Sequence, residues 1–309
     1  MTLKHNIIRY GYAPFMLLGL NGAAFAVVAS EYSYALLLPL LAVAFGTAFL
    51  AEQILPWHDE WNQSHDGDEE ASLLHAFAYE GGSLIGLLMI PLVSWTSSMK
   101  GIWPGDWSLL AQFALALVIA DFALMFLHYL SHRLPILWRL HAVHHGVDRL
   151  HGFNGLVRHP LHQTIDMCLG TAPLVIMGMP LEVAILLAFA ISVQLVVQHS
   201  NVAYALGPFE KHLSIGRIHH LHHTNWGTEG DVNFGLFLTV WDRFFGTFQP
   251  EPPRQITAQD LGIDEVPHFP KSFLEQPVFP FHYTPGEGTP QRYRQDYRLR
   301  PGERLVAAE

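Results

Sequence analysis

The sequence contains a single cysteine, Cys168, so it offers neither a disulfide framework nor a thiolate metal site. Only 14% of its residues are charged, and 27 acidic residues face 17 basic ones, which argues against a nucleic-acid partner because such a partner requires a basic surface. The sequence also lacks a phosphate-binding P-loop, a G-x-G-x-x-G dinucleotide motif and a G-x-S-x-G nucleophile elbow. These absences exclude the common nucleotide-binding and serine-hydrolase motifs.

Hydrophobic residues are abundant instead, at 50% of the chain, and the mean hydropathy of +0.21 indicates a membrane protein. No charged residue occurs between Arg9 and Glu31, or between Glu31 and Glu52. Each gap is about 20 residues long, which suffices to cross a hydrocarbon core of roughly 30 Å. We therefore expect two transmembrane helices at the start of the chain, with no removable signal peptide before them.

Further apolar segments follow an acidic connection. Residues 81–99 predict a third span, and residues 107–132 a fourth, with a Trp-rich turn of the kind found at membrane interfaces between them. Residues 167–198 are apolar but interrupted by prolines and glycines, so each piece looks too short for a full crossing. We expect this segment to form a helical hairpin that dips into the membrane and returns to the same side.

The distribution of basic residues predicts the orientation. With four spans and one hairpin, both termini and all histidine-rich segments fall on one side of the membrane. The opposite side carries only Lys100, whereas the histidine side carries Lys4, Arg9, Arg133, Arg139, Arg149, Arg158, Lys211, Arg217 and Arg243. By the positive-inside rule the histidine side and both termini are cytoplasmic, in either a bacterial inner membrane or an endoplasmic reticulum membrane.

The sequence thus predicts an all-α integral membrane protein with about four transmembrane helices, a membrane-dipping hairpin and a cytosolic helical cap. Residues 1–56 are expected to form an N-terminal transmembrane hairpin, followed by a second domain over residues 57–250. Residues 251–309 form a Pro-rich cytosolic tail, since half of the 20 prolines lie from Pro250 onward.

Histidines are concentrated in two clusters that repeat one spacing. The stretch HYLSHRLPILWRLHAVHH at 128–145 holds five, and IHHLHH at 218–223 repeats the H-x2-H-H pattern. Histidines three or four residues apart on a helix share one face and can bind one metal, so His141 can pair with either His144 or His145. The candidate metal ligands are His128, His132, His141, His144, His145, His199, His219, His222 and His223.

A solvated histidine tract could scavenge metals without a defined site, but these histidines alternate with apolar residues at helical spacing and so belong to packed helices. Nine imidazoles are too many for one ion and suit two, and uncharged nitrogen ligands favour transition metals over Mg or Ca. Asp121, inside the fourth span, either supports a ligand histidine or has a structural role. Substitution of His151 or His268, outside the clusters, is expected to be mild.

The motifs HYLSH, HAVHH, RHP, QHSN, HHLHH and DVNFG…WDRFFGTF resemble those of the fatty acid hydroxylase and sterol desaturase superfamily, over about residues 57–250. The resemblance implies a diiron centre held by the nine histidines, with zinc able to replace Fe2+ in purified samples. It further implies O2 as co-substrate and a cytochrome b5-like protein, ferredoxin or reductase as electron donor. The reaction would be hydroxylation or desaturation of a lipid or sterol C–H bond.

Some assignments stay open at this stage. The family often has a carboxylate near the position of His162, so His159 or His162 could either join the metal shell or support it. His220 is an extra histidine within its cluster and could also complete the shell. A histidine-rich transition-metal transporter or binding protein is the alternative function, although its ligands should lie near the middle of the membrane. A bis-histidine haem protein is a further alternative, but it does not require adjacent histidine doublets.

Overall fold

The computed structural model describes residues 2–30, 32–64, 67–96, 101–263, 266 and 269–282. His268 and most of the predicted Pro-rich tail lie outside these residues. Within them the secondary structure is helical, and strand pairing is limited to two isolated bridges. The helices are α1 Leu3–Val28, α2 Tyr34–Ile54, α3 Asp68–Thr96, α4 Leu109–Ser131, α5 Pro135–His145, α6 Pro160–Gly170, α7 Ala172–Ile176, α8 Leu181–His199, α9 Arg217–His222, α10 Val240–Phe245 and α11 Phe279–His282.

Five helices in the described part of the chain are long and apolar enough to cross a membrane, namely α1, α2, the Asp68–Leu92 part of α3, α4 and α8. The predicted class, an all-α integral membrane protein, is therefore confirmed. The first, second and fourth of these helices coincide closely with the spans expected from the sequence. The bounds of α3 and the length of α8 differ from those expected.

Helix α3 begins at Asp68, well before the expected start at residue 81. Its first turn contains Asp68, Glu69 and Glu70. Carboxylates there interact favourably with the positive end of the helix dipole, so an acidic run that was interpreted as a loop starts the helix. The buried Arg149 guanidinium binds Asp68 and Glu69 and also donates to the Trp61 carbonyl at 2.9 Å, which ties this end of α3 to the cap.

Helix α8 is 19 residues long, so the expectation that both arms of the hairpin are short is wrong for the second arm. Pro180 immediately precedes the helix and Glu182 lies in its first turn, and both residues are favourable at a helix start rather than disruptive. The first arm consists of the shorter helices α6 and α7.

The tip of this hairpin reaches the end of the bundle opposite the histidines. There the backbone N–H of Trp103, in the connection between α3 and α4, donates to the Met177 carbonyl at 3.0 Å. Near the same end, the Tyr34 hydroxyl lies 3.5 Å from a carboxylate oxygen of Glu182. Both arms therefore extend from the histidine end of the bundle to its opposite end.

Helix α8 is the central element of the bundle, because 83% of its most apolar window is buried. Its side chains join those of α1 and α2 in one hydrophobic core. The short helical turn Gly152–Leu156 also packs against it very closely, since a Cβ added at Gly155 would lie 2.3 Å from the Leu195 carbonyl oxygen. This packing fixes the C-terminal end of α8, where His199 lies.

Asp121 proves to be structural. Its carboxylate accepts hydrogen bonds from the backbone N–H groups of Phe237 and Leu238 at 2.7 and 3.2 Å, and from the Trp241 indole at 3.0 Å. The described contacts thus join α4 to α10 and the segment before it, and not to a candidate ligand histidine. The hydrogen-bonding capacity of this aspartate, which lies within an apolar helix, is met by N–H groups of a segment that folds back onto the bundle.

Candidate metal centre

Nine histidines from four parts of the chain converge at one end of the helix bundle and form two groups. Within each group, ring nitrogens all lie within 4.8 Å of one another. Group one comprises His128, His132, His141, His145 and His222, and group two comprises His144, His199, His219 and His223. The structure therefore brings together all nine residues proposed from the sequence. Their role as metal ligands stays a prediction.

Adjacent histidines serve different groups. His144 belongs to group two and His145 to group one, and the doublet His222, His223 is divided in the same way. Successive residues of a helix point about 100° apart, so two neighbouring side chains cannot converge on one ion as easily as residues one turn apart. Each doublet consequently connects the two groups through a single peptide bond.

Histidines four residues apart serve the same group. His141 pairs with His145 and not with His144, which resolves the choice that the sequence left open. In the same manner His128 pairs with His132 near the end of α4, and His219 pairs with His223 around the end of α9. His199, the last residue of α8, completes group two.

The Nε2 atoms of group two converge on one point. Nε2 of His199 lies 3.3 Å from that of His144 and 3.0 Å from those of His219 and His223, which are 3.1 Å apart. A metal–nitrogen bond of about 2.1 Å would place neighbouring ligand nitrogens about 3.0 Å apart in octahedral and about 3.4 Å apart in tetrahedral geometry. The observed separations therefore match a transition-metal ion at the centre.

Backbone carbonyls fix the orientation of several rings. A carbonyl oxygen can only accept, so the Nδ1 atom facing it carries the proton and Nε2 presents its lone pair to the group. The four Nδ1 contacts of this kind are His128 to Phe234 at 2.9 Å, His144 to Val157 at 3.1 Å, His199 to Leu195 at 2.8 Å and His222 to Val232 at 2.8 Å.

The loop 231–235, with the sequence DVNFG, supports three members of group one. Besides the two carbonyl contacts of this loop, the Asp231 carboxylate lies 2.9 Å from Nδ1 of His132. Sequence reasoning used DVNFG only for the resemblance and assigned it no contact with the histidines. Its acidic residue was the only available signal, because a backbone carbonyl has no signature in the sequence.

Two residues hold this loop in place. The Asp242 carboxylate accepts from the N–H groups of Phe234 and Gly235 at 2.7 and 2.8 Å. Asn233 adopts a left-handed conformation with φ of 56°, and its side-chain amide donates to the carbonyls of Ile218 and Gln249, each at 2.8 Å. Asparagine tolerates this conformation better than most residues, and its bonds offset the strain.

Burial keeps the ring nitrogens neutral and available. Burial, reinforced by neighbouring histidines, holds the pKa well below its usual range for His141, His144, His145, His219 and His223. Both ring nitrogens of His141 and Nε2 of His128 lack a hydrogen-bond partner among the described residues. Buried polar atoms of this kind require a partner. A pair of metal ions would provide it, so the residues present fit a dinuclear nitrogen-ligand centre.

The three histidines left open by the sequence lie outside both groups. His159 caps α6, with Nδ1 accepting from the Leu161 N–H at 3.0 Å and Nε2 lying 2.8 Å from the Pro277 carbonyl. His162 contacts the Ser131 hydroxyl at 2.9 Å and the Asp166 carboxylate at 3.2 Å. Both rings are therefore occupied by other partners.

His220, the third of these residues, packs edge-on against Trp61, with ring centroids 5.4 Å apart. Its ring takes part in neither histidine group.

Two adjoining cavities lead away from the histidines into the bundle. The nearer one, which we call the chamber, has a volume of about 70 Å³ and is lined in part by His128, His219, Arg158 and Asp166. The farther one, the apolar pocket, has a volume of about 240 Å³ and lies among residues of α3, α6, α7 and α8. Four residues line both cavities, namely Tyr79, Met167, Thr171 and Ile191.

Comparison with known proteins gives a consistent result. The model of the fatty acid hydroxylase family matches residues 113–247. An ornithine lipid hydroxylase, OlsE of Rhizobium tropici, is 33% identical over 241 residues, which cover 75% of this chain and 71% of that protein. No solved structure matches the chain.

The names of two more distant relatives indicate activity on other lipids. Alkylglycerol monooxygenase of Danio rerio is 29% identical over 53% of this chain, but the match spans only 36% of that protein. A Delta(7)-sterol 5(6)-desaturase of Eremothecium gossypii is 24% identical over 86% of this chain and 78% of its own length.

Proposed function

The chain belongs to the fatty acid hydroxylase family, and on that premise we propose that it is a membrane-bound diiron oxygenase that oxidises a C–H bond of a lipid or sterol. The observation that carries the proposal is the pair of histidine groups next to a chamber that continues into an apolar pocket. The relatives named above hydroxylate, oxygenate or desaturate lipids. Hydroxylation is the favoured outcome because it is the named activity of the relative that is 33% identical over 75% of this chain.

We assign one iron ion to group one and one to group two, with the nine histidines as ligands. When bound, the two irons supply the activation of O2 by two electrons, so that a C–H bond becomes C–OH and the second oxygen atom leaves as water with two protons. Zinc would occupy the same nitrogen ligands in a sample that lacks iron.

The protein's own contribution is to position the ligands and the substrate. Eight of the nine histidines are buried, so bulk water has little access to the centre. The contacts between Nδ1 atoms and carbonyls hold the rings before any ligand binds, which limits reorganisation during the reaction. The apolar pocket offers a hydrocarbon chain an environment similar to the bilayer.

We further propose that the metal centre and both termini face the cytoplasm, as the distribution of Lys and Arg predicts. This orientation lets a soluble or membrane-anchored cytosolic donor supply the electrons. We keep residues 57–250 as the proposed catalytic domain, preceded by the hairpin of 1–56 and followed by the tail of 251–309.

A transition-metal transporter would need ligands along a path through the membrane. The nine histidines instead lie at one end of the bundle, and the cavity beyond them is lined mainly by apolar side chains. This arrangement favours a lipid over an ion as the molecule that enters.

The experiment is comparative lipidomics under 18O2 in cells that express the wild type or His144→Ala, which removes a ligand of group two. We expect an 18O-labelled alcohol in the wild type and none in His144→Ala. The control is His212→Ala, because His212 is an exposed histidine outside both groups and should behave as the wild type.

An unlabelled alkene that depends on His144 would establish desaturation instead of hydroxylation. If the lipid extracts of wild type and His144→Ala are identical, the oxygenase proposal is wrong for lipids.

A further inference from the structure

The chamber beside the histidines has charged and carboxamide side chains in one part of a wall that is otherwise largely apolar. Arg158 and Asp166 contribute an ion pair to its wall, with Nη1 of Arg158 donating to Asp166 at 3.1 Å. Gln163 and Gln198 add two carboxamide side chains. This polar part of the wall suits a substrate group that can accept hydrogen bonds.

Arg158 has donors to spare for such a group. Its side chain is 15% exposed, and its Nε atom is buried with no hydrogen-bond partner among the described residues. A guanidinium has five N–H donors in a planar fork, which matches the oxygens of a phosphate or a carboxylate in two parallel hydrogen bonds. Asp166 accepts only one of these donors in the described contacts.

The apolar pocket provides the opposite environment. Its wall is formed largely by side chains such as Leu87, Ile90 and Val175, and it reaches the protein surface at Met89, which is 45% exposed. Because the pocket lies among membrane-spanning helices, a lipid tail can occupy it without leaving an apolar medium.

We propose that the substrate is a lipid with an acidic headgroup oxygen, and that it binds with its polar end toward the metal centre. Arg158 binds the phosphate or carboxylate oxygen in the chamber, the tail extends into the apolar pocket, and the oxidised carbon lies in or next to the headgroup. This inference rests on the proposed oxygenase function. The reverse orientation would press a methylene chain against the Arg158–Asp166 pair and leave its donors without solvent or partners, which is costly.

The first test measures binding without turnover, in full-length protein loaded with zinc and reconstituted in lipid nanodiscs. Three photoreactive lipids carry a diazirine at the same position of the tail and differ in the headgroup, which is a phosphate, a carboxylate or a neutral glycerol. We expect at least one acidic lipid to crosslink to the pocket, for example at Met89 or Cys168, with a yield about tenfold above that of the neutral lipid.

Arg158→Gln should lower the yield of the acidic lipid to that of the neutral one, and Arg158→Lys should retain part of it, because lysine keeps the charge and loses the fork. Arg254→Gln is the control, since Arg254 is exposed and stacks on Trp226 outside the chamber. Metal content is measured in each sample, and an unchanged value shows that Arg158 does not act by holding the centre together. Equal yields for acidic and neutral lipids in the wild type would overturn the proposal.

The second test requires no variant. Tandem mass spectrometry of the 18O-labelled product locates the oxidised carbon, which we expect in the headgroup or at the carbons attached to it. Oxygen in the middle or at the far end of a chain would overturn the orientation and leave the oxygenase function intact. Absence of any labelled or desaturated lipid would count against the proposed function itself.

Discussion

Replacing Asp231 with asparagine should weaken metal binding in group one and leave group two unchanged. The two carboxylate oxygens of Asp231 lie 2.9 Å from Nδ1 of His132 and 3.1 Å from Nη1 of Arg133. The side chains of His132 and Asp231 are 0% and 2% exposed, so water does not screen the negative charge. That charge makes the imidazole a better electron donor through Nε2, and an amide cannot replace it.

The size of the effect follows from the position of Asp231, which contacts His132, a proposed ligand, and would not touch the metal itself. Loss of such a supporting partner costs about 10- to 100-fold in metal affinity, or about 1.4 to 2.7 kcal/mol. The assay is competition with a chelator of known affinity, with bound zinc counted per chain by mass spectrometry. We expect two tightly bound ions in the wild type, and one tight and one weakened ion in Asp231→Asn.

Asp148→Asn is the matched control, since Asp148 is 49% exposed and pairs with Lys271 away from the histidines. If Asp231→Asn retains both ions with wild-type affinity, the carboxylate does not act through His132. Loss of both ions together would show that the two groups cannot be occupied separately.

Three further predictions concern the centre, the membrane and pH. His144→Ala and His222→Ala each remove a proposed ligand from a different group. Each should reduce product formation nearly as much as the double variant does, because ligands of paired metals act as a unit, and additive losses would contradict this. A cytosol-only reporter fused to the C-terminus should be active, whereas a signal only from a reporter of the opposite side would reverse the proposed orientation. Burial lowers the pKa of His151 and His220 to about 3, so the unfolded chain, with values near 6.5, takes up protons that the folded protein does not. These two histidines should therefore contribute most to the unfolding free energy above about pH 6.5, and their contribution should fall toward pH 5 by at most about 1.4 kcal/mol per pH unit for each histidine. Denaturant titration of metal-free wild type and His151→Gln isolates the contribution of His151, and an equal pH dependence of the two proteins would refute the assignment.

The nine histidines could be found from the sequence because helical spacing restricts where their side chains point. Residues four apart on a helix share a face whatever the surrounding fold. The pairing of His128 with His132, and of His141 with His145, therefore follows from local geometry. The division of each doublet between two groups could not be found in this way. It depends on which side of α5 faces the end of α8, and only the packing of the whole bundle decides that.

The loop 231–235 shows a second limit of sequence reasoning. Its contacts reach His132 and His128 across separations of 99 and 106 residues, and two of the three contacts to group one use backbone carbonyls. No side-chain pattern reports where a carbonyl will point. The structural role of Asp121, by contrast, was among the alternatives that the sequence allowed.

The errors at α3 and α8 share a physical cause. At α3 the acids were assigned to a connecting loop, and at α8 Pro180 and Glu182 were interpreted as interruptions, although the same residues are favourable at a helix start. Hydropathy alone marks the apolar middle of a span. Its ends depend on capping, which a search for uncharged stretches does not detect.

The two histidine groups take most of their members from different parts of the chain, which matters while the chain is being synthesised. Group one takes four of its five members from residues 128–145, whereas group two takes three of its four from His199, His219 and His223. During synthesis from the N-terminus, most of the first site therefore exists before α8 has entered the membrane. The second site cannot exist until the chain has passed residue 223. On the proposed assignment of one metal ion to each group, the ion of group one can therefore bind before that of group two.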